Sequence, residues 1–261
     1  MDFPVYLWLG PVAIHPHWLF ESVAYLVGAR VYAWNKARHG DPIAPPDRWS
    51  VVAAAAVGAA IGGKLLYWAS EPAVTLERWH DLLFLLGGKS IVGSLIGALI
   101  AVEWIKWRIG VTRSTGDLFA IPLAVGIAIG RIGCFLTGLD DHTYGLPTTL
   151  PWGVDFGDGV VRHPTQLYEI AFLAILAPIL ARVARRQPHA PGDLFKLFMV
   201  AYFGFRLLLE WIKPGVSLAG LNAIQWCCLA MLMYYGPWIV APFRPGRGRP
   251  AEAVPSEVAH G

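Results

Sequence analysis

A series of long apolar runs limits how this chain can fold more than any other feature. Seven runs of about 20 residues cover 17–34, 49–69, 88–107, 117–137, 165–183, 194–212 and 221–241. A helix of about 20 residues crosses the roughly 30 Å hydrocarbon core of a membrane. The chain is 56% hydrophobic and 15% charged, whereas soluble domains carry about 25% charged residues. The pattern predicts an all-α integral membrane protein with seven transmembrane helices.

The connections between the predicted helices are alternately rich and poor in Lys and Arg, and this alternation orients the helices in the membrane. The rich connections and the tail contain Lys36, Arg38, Arg48, Lys106, Arg108, Arg113, Arg182, Arg185, Arg186, Arg244, Arg247 and Arg249. The longest connection, 138–164, has only Arg162. Because cytoplasmic loops carry the excess of Lys and Arg, we expect the N-terminus outside and the C-terminus in the cytoplasm.

The domain organisation follows from this topology. Residues 1–243 are predicted to form one transmembrane domain in a bacterial inner membrane, with 138–164 as a small periplasmic cap loop that can hold a hairpin near Trp152 to Val161. Residues 244–261 are rich in Pro, Arg, Ala and Gly, a composition typical of a disordered tail. We place this tail in the cytoplasm.

The predicted topology gathers unusual polar residues at one side of the membrane. The outer ends of five helices carry His17, Glu21, Lys89, Arg131, Cys134, His163, Gln166, Glu169, Arg206, Glu210 and Lys213. A charged residue inside a span costs roughly 2.5–3.5 kcal/mol on insertion scales and commonly faces a cavity or a partner. The outer side is therefore the predicted location of a functional site.

Two arginines are candidates for binding an anion there. Arg206, Glu210 and Lys213 follow an i, i+4, i+7 spacing and share one helical face. The face can be an internal Arg–Glu pair, or Arg206 can point to an interior anion, for which phosphate suits the arginine fork. Arg131 lies between Gly130 and Gly133, which fits either glycine-mediated helix packing with a snorkelling arginine or the same anion site. The second inward arginine favours the shared site.

The histidines and cysteines leave more than one interpretation open. The helix dipole favours an acidic residue in the first turn of a helix, which explains Glu169 in part. It does not explain His163. His17 and Glu21, at i and i+4, form either a structural pair or part of the site. Cys134 lies beside Arg131 and can be reactive, but a small buried residue is the favoured interpretation. No Cys/His spacing resembles a zinc site, and the sequence implies no metal or organic cofactor.

Four motifs then resemble those of one family. They are Gly130-Arg131-Ile132-Gly133 with Phe135, the block 162–169 (Arg-His-Pro-Thr-Gln-Leu-Tyr-Glu), Arg206 with Glu210 and Lys213, and the glycine-rich stretch 87–93. Together they are similar to the bacterial prolipoprotein diacylglyceryl transferase family. The resemblance implies transfer of the diacylglyceryl group of phosphatidylglycerol to the thiol of a lipobox cysteine, with release of glycerol phosphate. It also implies that Arg131 and Arg206 bind the phosphate.

The candidate site residues and partners follow from the resemblance and the topology together. The candidate catalytic residues are Arg131, Arg206, Glu210, Glu21 and His163. The candidate substrate-binding residues are Gly130, Gly133, Cys134, Gln166, Tyr168, Glu169, Lys213 and Lys89. The expected partners are phosphatidylglycerol, the signal-peptide and lipobox segment of a prolipoprotein and membrane lipids, with no nucleic acid.

The chain also departs from the family pattern. Val92 stands at the position of the family's third-helix histidine, Cys134 at an asparagine, and Glu21 at an aromatic position; Thr137 and Leu139 replace the next two polar residues of the signature. A base that deprotonates the acceptor thiol must then come from another position. The candidates by topology are Glu21, His17, Asp140, Asp141, His142 and His163. Two alternatives therefore stay open: a divergent paralogue that uses phosphatidylglycerol with another acceptor, and a non-catalytic lipid-binding membrane protein.

Overall fold

The computed structural model describes residues 3–185 and 190–240, and this part of the chain is mostly helical. Its α-helices are α1 Pro16–His39, α2 Pro45–Ser70, α3 Pro72–Glu77, α4 Leu82–Leu86, α5 Ile91–Arg108, α6 Asp117–Thr137, α7 Thr165–Arg185, α8 Asp193–Leu209 and α9 Ala223–Val240. Short 3₁₀ turns, Gly138–Asp141 and Glu210–Ile212, extend α6 and α8. The tail 244–261 lies outside the described residues.

The long helices lie over the apolar runs of the sequence, so the runs are confirmed as helices. In the described ranges, three segments are long and apolar enough to cross a membrane by length and composition: Pro45–Ser70, Asp117–Asp141 and Thr165–Arg185. The connection after α2 contains the short helices α3 and α4, which the hydropathy pattern did not predict. Helices of five or six residues are too short to show a periodic pattern.

Capping side chains set the helix ends within the apolar runs. The third run begins at 88, but α5 begins at Ile91, because the Ser90 hydroxyl accepts a hydrogen bond from the Gly93 amide and caps the first turn. The last run begins at 221, and α9 begins two residues later. There Asn222 Oδ1 accepts from the Gln225 amide at 2.8 Å, and Gln225 Oε1 accepts from the Asn222 amide at 2.9 Å, which is a capping box.

Lys64 carries a charge in the last third of the second apolar run. Its Nζ donates to the carbonyl oxygens of Gly87 and Gly88 at 2.6 and 2.8 Å, and also to that of Leu86. These carbonyls follow the C-terminal end of α4, where the helix dipole favours a cation. The carbonyls of the segment before α5 therefore provide hydrogen bonds to an ammonium that α2 would otherwise place in an apolar environment.

The described residues form three small hairpins, one before α1 and two between helices. Strands β1 (Leu7–Leu9) and β2 (Val12–Ile14) precede α1, β3 (Val154–Asp155) and β4 (Val161–Arg162) lie in the connection before α7, and β5 (Ser217–Leu218) and β6 (Leu221–Asn222) precede α9. Each pair is antiparallel. The hairpin expected near Trp152 to Val161 is confirmed as β3 and β4.

Helices α2 and α5 pack backbone to backbone through glycines. A Cβ added at Gly97 would lie 2.9 Å from the Gly62 Cα and would collide with the carbonyl of Gly58. A Cβ at Gly93 would meet Leu66 Cβ at 2.6 Å. Small residues allow helices to approach this closely, and the resulting van der Waals packing favours helix association in a membrane.

Gly97→Ala is therefore expected to destabilise the protein by about 1–3 kcal/mol, the usual range for overpacking. The methyl group has backbone in front of it and no flexible side chain that can move away. Thermal unfolding of the detergent-solubilised protein measures the change. Gly204→Ala in α8 is the matched control, because a Cβ there meets nothing within 4 Å. An equal melting temperature for both variants would contradict the packing argument.

Candidate functional site

Glu169 is the centre of a buried charged cluster. It lies in the first turns of α7 with 1% of its surface exposed. Tyr202 Oη donates to its Oε1 at 2.7 Å, and Arg206 Nη1 donates to its Oε2 at 3.2 Å. Arg131 Nε lies 2.9 Å from the same Oε2. One carboxylate therefore joins α6, α7 and α8, and both candidate arginines share it.

Arg206 continues the cluster to the end of α8. Its Nη2 donates to Glu210 Oε1, and Asn222 Nδ2 donates to Glu210 Oε2 at 3.2 Å. Lys213 Nζ lies 4.0 Å from Glu210 Oε1. The internal Arg–Glu pair suggested by the i, i+4 spacing is present, and Arg206 contacts a second carboxylate as well.

Several polar atoms in this cluster remain without a hydrogen-bond partner. Among the described residues these buried atoms include Arg131 Nε, Arg206 Nε and both amide atoms of Gln166. Arg131 Nε is close to Glu169, but its N–H does not point along a hydrogen bond. Buried polar groups are hydrogen-bonded in the great majority of cases. Two arginines that share Glu169 and keep unpaired donors, with a buried unpaired amide on the same helix as Glu169, indicate a ligand site.

A second polar cluster forms where α1 begins and α6 ends. His17 Nδ1 lies 2.8 Å from Asp141 Oδ1, and His17 Nε2 lies 3.5 Å from Glu21 Oε2. Lys89 pairs with Glu21 Oε1. Arg131 Nη1 donates to Cys134 Sγ at 3.7 Å, so Arg131 connects this cluster to the one around Glu169.

The remaining candidate residues lie at the edge of the clusters or in helix packing. His163 Nδ1 lies 3.1 Å from Tyr168 Oη, which accepts a hydrogen bond from Trp152 Nε1 at 2.8 Å. A Cβ at Gly133 would lie 2.8 Å from Phe20 Cβ, so this glycine allows α1 to approach α6, whereas Gly130 has open space around it.

The candidate bases differ in their exposure and contacts. Asp140 and His142 are exposed at the surface, while His17 and Asp141 contact each other. Val92 is fully buried in the apolar core, so its surroundings offer no substitute for the family histidine. Sequence reasoning missed Tyr202 and Asn222. Tyr202 shares the face of Arg206 and Glu210 at i−4, and that spacing is the signal that could have found it.

Lys213 lies one residue beyond the sixth predicted span. Burial lowers the pKa of its ammonium from 10.5 to about 8, although Glu210 acts in the opposite direction. Between these two pH values the unfolded chain binds more protons than the folded protein. The free energy of unfolding therefore gains a contribution from Lys213 as the pH rises from 8 to 10.5.

This linkage predicts a pH-dependent difference between the wild type and Lys213→Met. The free energy of unfolding of the wild type minus that of the variant is expected to rise by about 1–3 kcal/mol across this window, at about 1.4 kcal/mol per pKa unit. Taking the difference between the two proteins cancels the contributions of other groups that titrate in the same pH range. Denaturant titrations at pH 7.5, 9 and 10.5 (roughly the two ends and the middle of the window) measure it. A constant difference would show that Lys213 is not desolvated.

Comparisons with known proteins agree with the motifs. A family model described as prolipoprotein diacylglyceryl transferase matches residues 4–240. The chain is 33% identical over 247 residues to a phosphatidylglycerol–prolipoprotein diacylglyceryl transferase of Bordetella parapertussis, with 88% of this chain and 91% of the relative covered. It is 30% identical over 275 residues to the protein of that name from Cupriavidus metallidurans, with 96% and 97% covered. A Pseudomonas aeruginosa relative of the same name is 30% identical over 242 residues, with 88% and 87% covered.

Proposed function

Because the chain belongs to the prolipoprotein diacylglyceryl transferase family and is a membrane transferase that acts with phosphatidylglycerol in lipoprotein maturation, we propose that the cluster around Glu169 is its phospholipid site. Arg131 and Arg206 bind the phosphate of phosphatidylglycerol, and Gln166 donates from its amide. The unpaired polar atoms of these three buried residues carry this proposal.

The charge of the cluster matches the charge of the ligand. Three cations, Arg131, Arg206 and Lys213, face the two carboxylates Glu169 and Glu210. The cluster therefore has one net positive charge, and a phosphodiester has one negative charge. Neutrality matters here because an uncompensated charge in a low-dielectric environment is strongly unfavourable.

The proposed reaction is an alkylation of a thiol. The thiol of a lipobox cysteine loses its proton to water, its sulfur forms a bond with the glycerol carbon that carries the phosphate, and the bond from that carbon to the phosphate oxygen breaks. Negative charge grows on the departing glycerol phosphate. Arg131 and Arg206 stabilise that charge, because preorganised donors act most strongly where charge develops in a site shielded from water.

The proposed topology places this reaction at the periplasmic side of the inner membrane. Seven spans with the N-terminus outside put the start of α1 and α7 and the end of α6 and α8 on that side. These are the helix ends that carry His17, Arg131, Glu169 and Arg206. The cap loop 138–164 would cover the site from the periplasm, with His163 and Tyr168 at its edge. The signal-peptide segment of the prolipoprotein would enter from the same side.

A transfer assay tests the proposal. Purified protein, phosphatidylglycerol and a lipobox peptide are expected to give a diacylglyceryl thioether, detected by mass spectrometry. Arg131→Ala is expected to reduce the transfer rate by at least roughly 100-fold, as removal of one transition-state donor typically does. A transfer rate in Arg131→Ala equal to that of the wild type would contradict the phosphate site. Binding of phosphatidylglycerol without product would instead indicate that the protein uses another acceptor.

A further inference from the structure

Three metal-binding side chains converge where α1 meets the end of α6. The nitrogen of His17, the sulfur of Cys134 and a carboxylate oxygen of Asp141 all lie within 4.8 Å of one another. Cys134 and Asp141 are almost fully buried, while His17 exposes 28% of its side chain. The cluster can therefore be reached from outside at the edge of His17.

We propose that His17 Nδ1, Cys134 Sγ and Asp141 Oδ1 bind a zinc ion whose fourth position takes the acceptor thiol. Imidazole, thiolate and carboxylate are the ligand types of zinc, and catalytic zinc sites have three protein ligands and one open position. Donor atoms around tetrahedral zinc lie roughly 3–4 Å apart. His17 Nδ1 and Asp141 Oδ1, now 2.8 Å apart, separate by a few tenths of an ångström to admit the ion, and ligand atoms that are now up to 4.8 Å apart move closer.

Each of the three ligands already has an outer partner. The second nitrogen of His17, Nε2, faces Glu21 Oε2 at 3.5 Å. Thr143 Oγ1 donates to Asp141 Oδ2 at 2.6 Å, which leaves Oδ1 for the ion. Arg131 Nη1 points at Cys134 Sγ at 3.7 Å. A carboxylate on the free nitrogen of a ligating histidine, and a hydrogen bond on a ligating carboxylate, are characteristic of metal sites.

The charge balance also suits a buried site. A zinc ion bound by one thiolate, one carboxylate and a neutral imidazole has no net charge. Arg131 is nearby, but Glu169 compensates its charge. The ion therefore adds no uncompensated charge next to the membrane interior. The glutamate that faces His17 is itself paired with Lys89.

Zinc at this position would supply the activation that the chain otherwise lacks. A free thiol has a pKa near 8.5, and a thiol bound to zinc loses its proton outright. The acceptor thiol releases its proton to water as its sulfur binds the ion. The sulfur then bonds to the glycerol carbon, the carbon–oxygen bond to phosphate breaks, and the electron pair leaves on glycerol phosphate. This inference rests on the proposed function, because it assigns the open position to the acceptor of that reaction.

Metal analysis of the full-length protein in detergent tests the site without reference to activity. Protein stripped with a chelator, loaded with zinc alone and desalted is expected to retain equimolar zinc. Cys134→Ser and Asp141→Asn are expected to bind zinc at least 10–100-fold more weakly, and Glu21→Gln roughly 10-fold more weakly as an outer partner. Cys227→Ala, which removes a half-buried thiol in α9, is the matched control and is expected to retain zinc.

Cobalt substitution keeps the test decisive if a variant fails to fold. Wild-type protein loaded with cobalt is expected to show thiolate-to-metal charge transfer, which is also expected in Cys227→Ala and lost in Cys134→Ser. Wild-type protein that retains no zinc, or a folded Cys134→Ser variant that retains as much zinc as the wild type, would overturn the site.

Transfer assays with and without zinc separate this inference from the proposed function. Zinc-free protein is expected to transfer at least roughly 100-fold more slowly, comparable to the loss of a general base, and added zinc is expected to restore the rate. Equal rates with and without zinc would overturn the role of the ion in thiol activation. Zinc bound through Cys134 with no transfer under any condition would support the site and contradict the proposed function.

Discussion

Arg206→Ala is expected to abolish diacylglyceryl transfer, with a loss of at least roughly 1000-fold. The substitution removes a donor that stabilises the leaving phosphate, which alone costs about 100- to 1000-fold. It also leaves Glu169 and Glu210 with one cation fewer, because Arg206 contacts both. The cluster then has no net positive charge to attract the lipid. Single-turnover transfer measured by mass spectrometry gives the rate.

Stability must be measured on the same variant, because Arg206 is 3% exposed and buried ion pairs are costly to break. Arg206→Lys keeps the charge and loses the planar fork, so we expect a folded protein that remains slow. Arg182→Ala is the control, since this arginine is exposed in the last turn of α7, at the opposite end from Glu169. If Arg206→Lys transferred at the wild-type rate, the phosphate would need only a charge from α8.

The helices could be predicted from hydropathy because length and apolar content are properties of the local sequence. Their ends could not, since these depend on single capping side chains. The cap of Ser90 makes α5 begin later than the apolar run does, and the reciprocal hydrogen bonds of Asn222 and Gln225 do the same for α9. The short helices α3 and α4 have no periodicity to detect, and they form because Pro72 and the cap of Asp81 fit a first turn. The count of seven spans and their orientation in the membrane stay predictions.

The gathering of polar residues at one end of the helices was predictable from topology, but their pairing was not. The alternation of basic loops places Arg131, Glu169 and Arg206 on one side, and the structure brings them into contact. Which carboxylate lies between the two arginines depends on side-chain geometry. Tyr202 was missed because a tyrosine in an apolar run is commonly a core residue, and only its i−4 spacing from Arg206 distinguishes it.

The proposed zinc ligands show where sequence patterns stop being informative. Local Cys/His spacing detects ligands on one turn or hairpin, whereas His17 belongs to α1 and Cys134 to the far end of α6. Their meeting depends on the packing of α1 against α6, which Gly133 permits by leaving room for Phe20. Two departures of this chain from the family pattern, Glu21 and Cys134, directly follow Phe20 and Gly133 in the chain.

Glu169→Gln is expected to lower the free energy of unfolding by about 3–5 kcal/mol, the usual effect of removing one partner from a buried ion pair. The amide keeps the shape of the side chain and removes the charge that Arg131 and Arg206 share. Thermal and denaturant unfolding in detergent measure the change. Asp81→Asn is the matched control, because the side chains of Arg78 and Asp81 are 52% and 35% exposed in their pair, exposed pairs contribute about 0–1 kcal/mol, and asparagine keeps the helix cap. Equal effects in both variants would contradict a central role for Glu169.

Anionic lipid should rescue the Glu169→Gln variant if the two arginines form the phosphate site. Without the carboxylate, both cations lack a counter-charge, and the phosphate of phosphatidylglycerol can supply one. A ligand that binds the folded state stabilises it more as its affinity increases, so phosphatidylglycerol is expected to raise the melting temperature of this variant more than that of the wild type. Diacylglycerol has the same acyl groups without the phosphate and is expected to have no such differential effect. If the two lipids stabilised the variant equally, Arg131 and Arg206 would not be the headgroup site, and the unpaired donors around Glu169 would need another ligand.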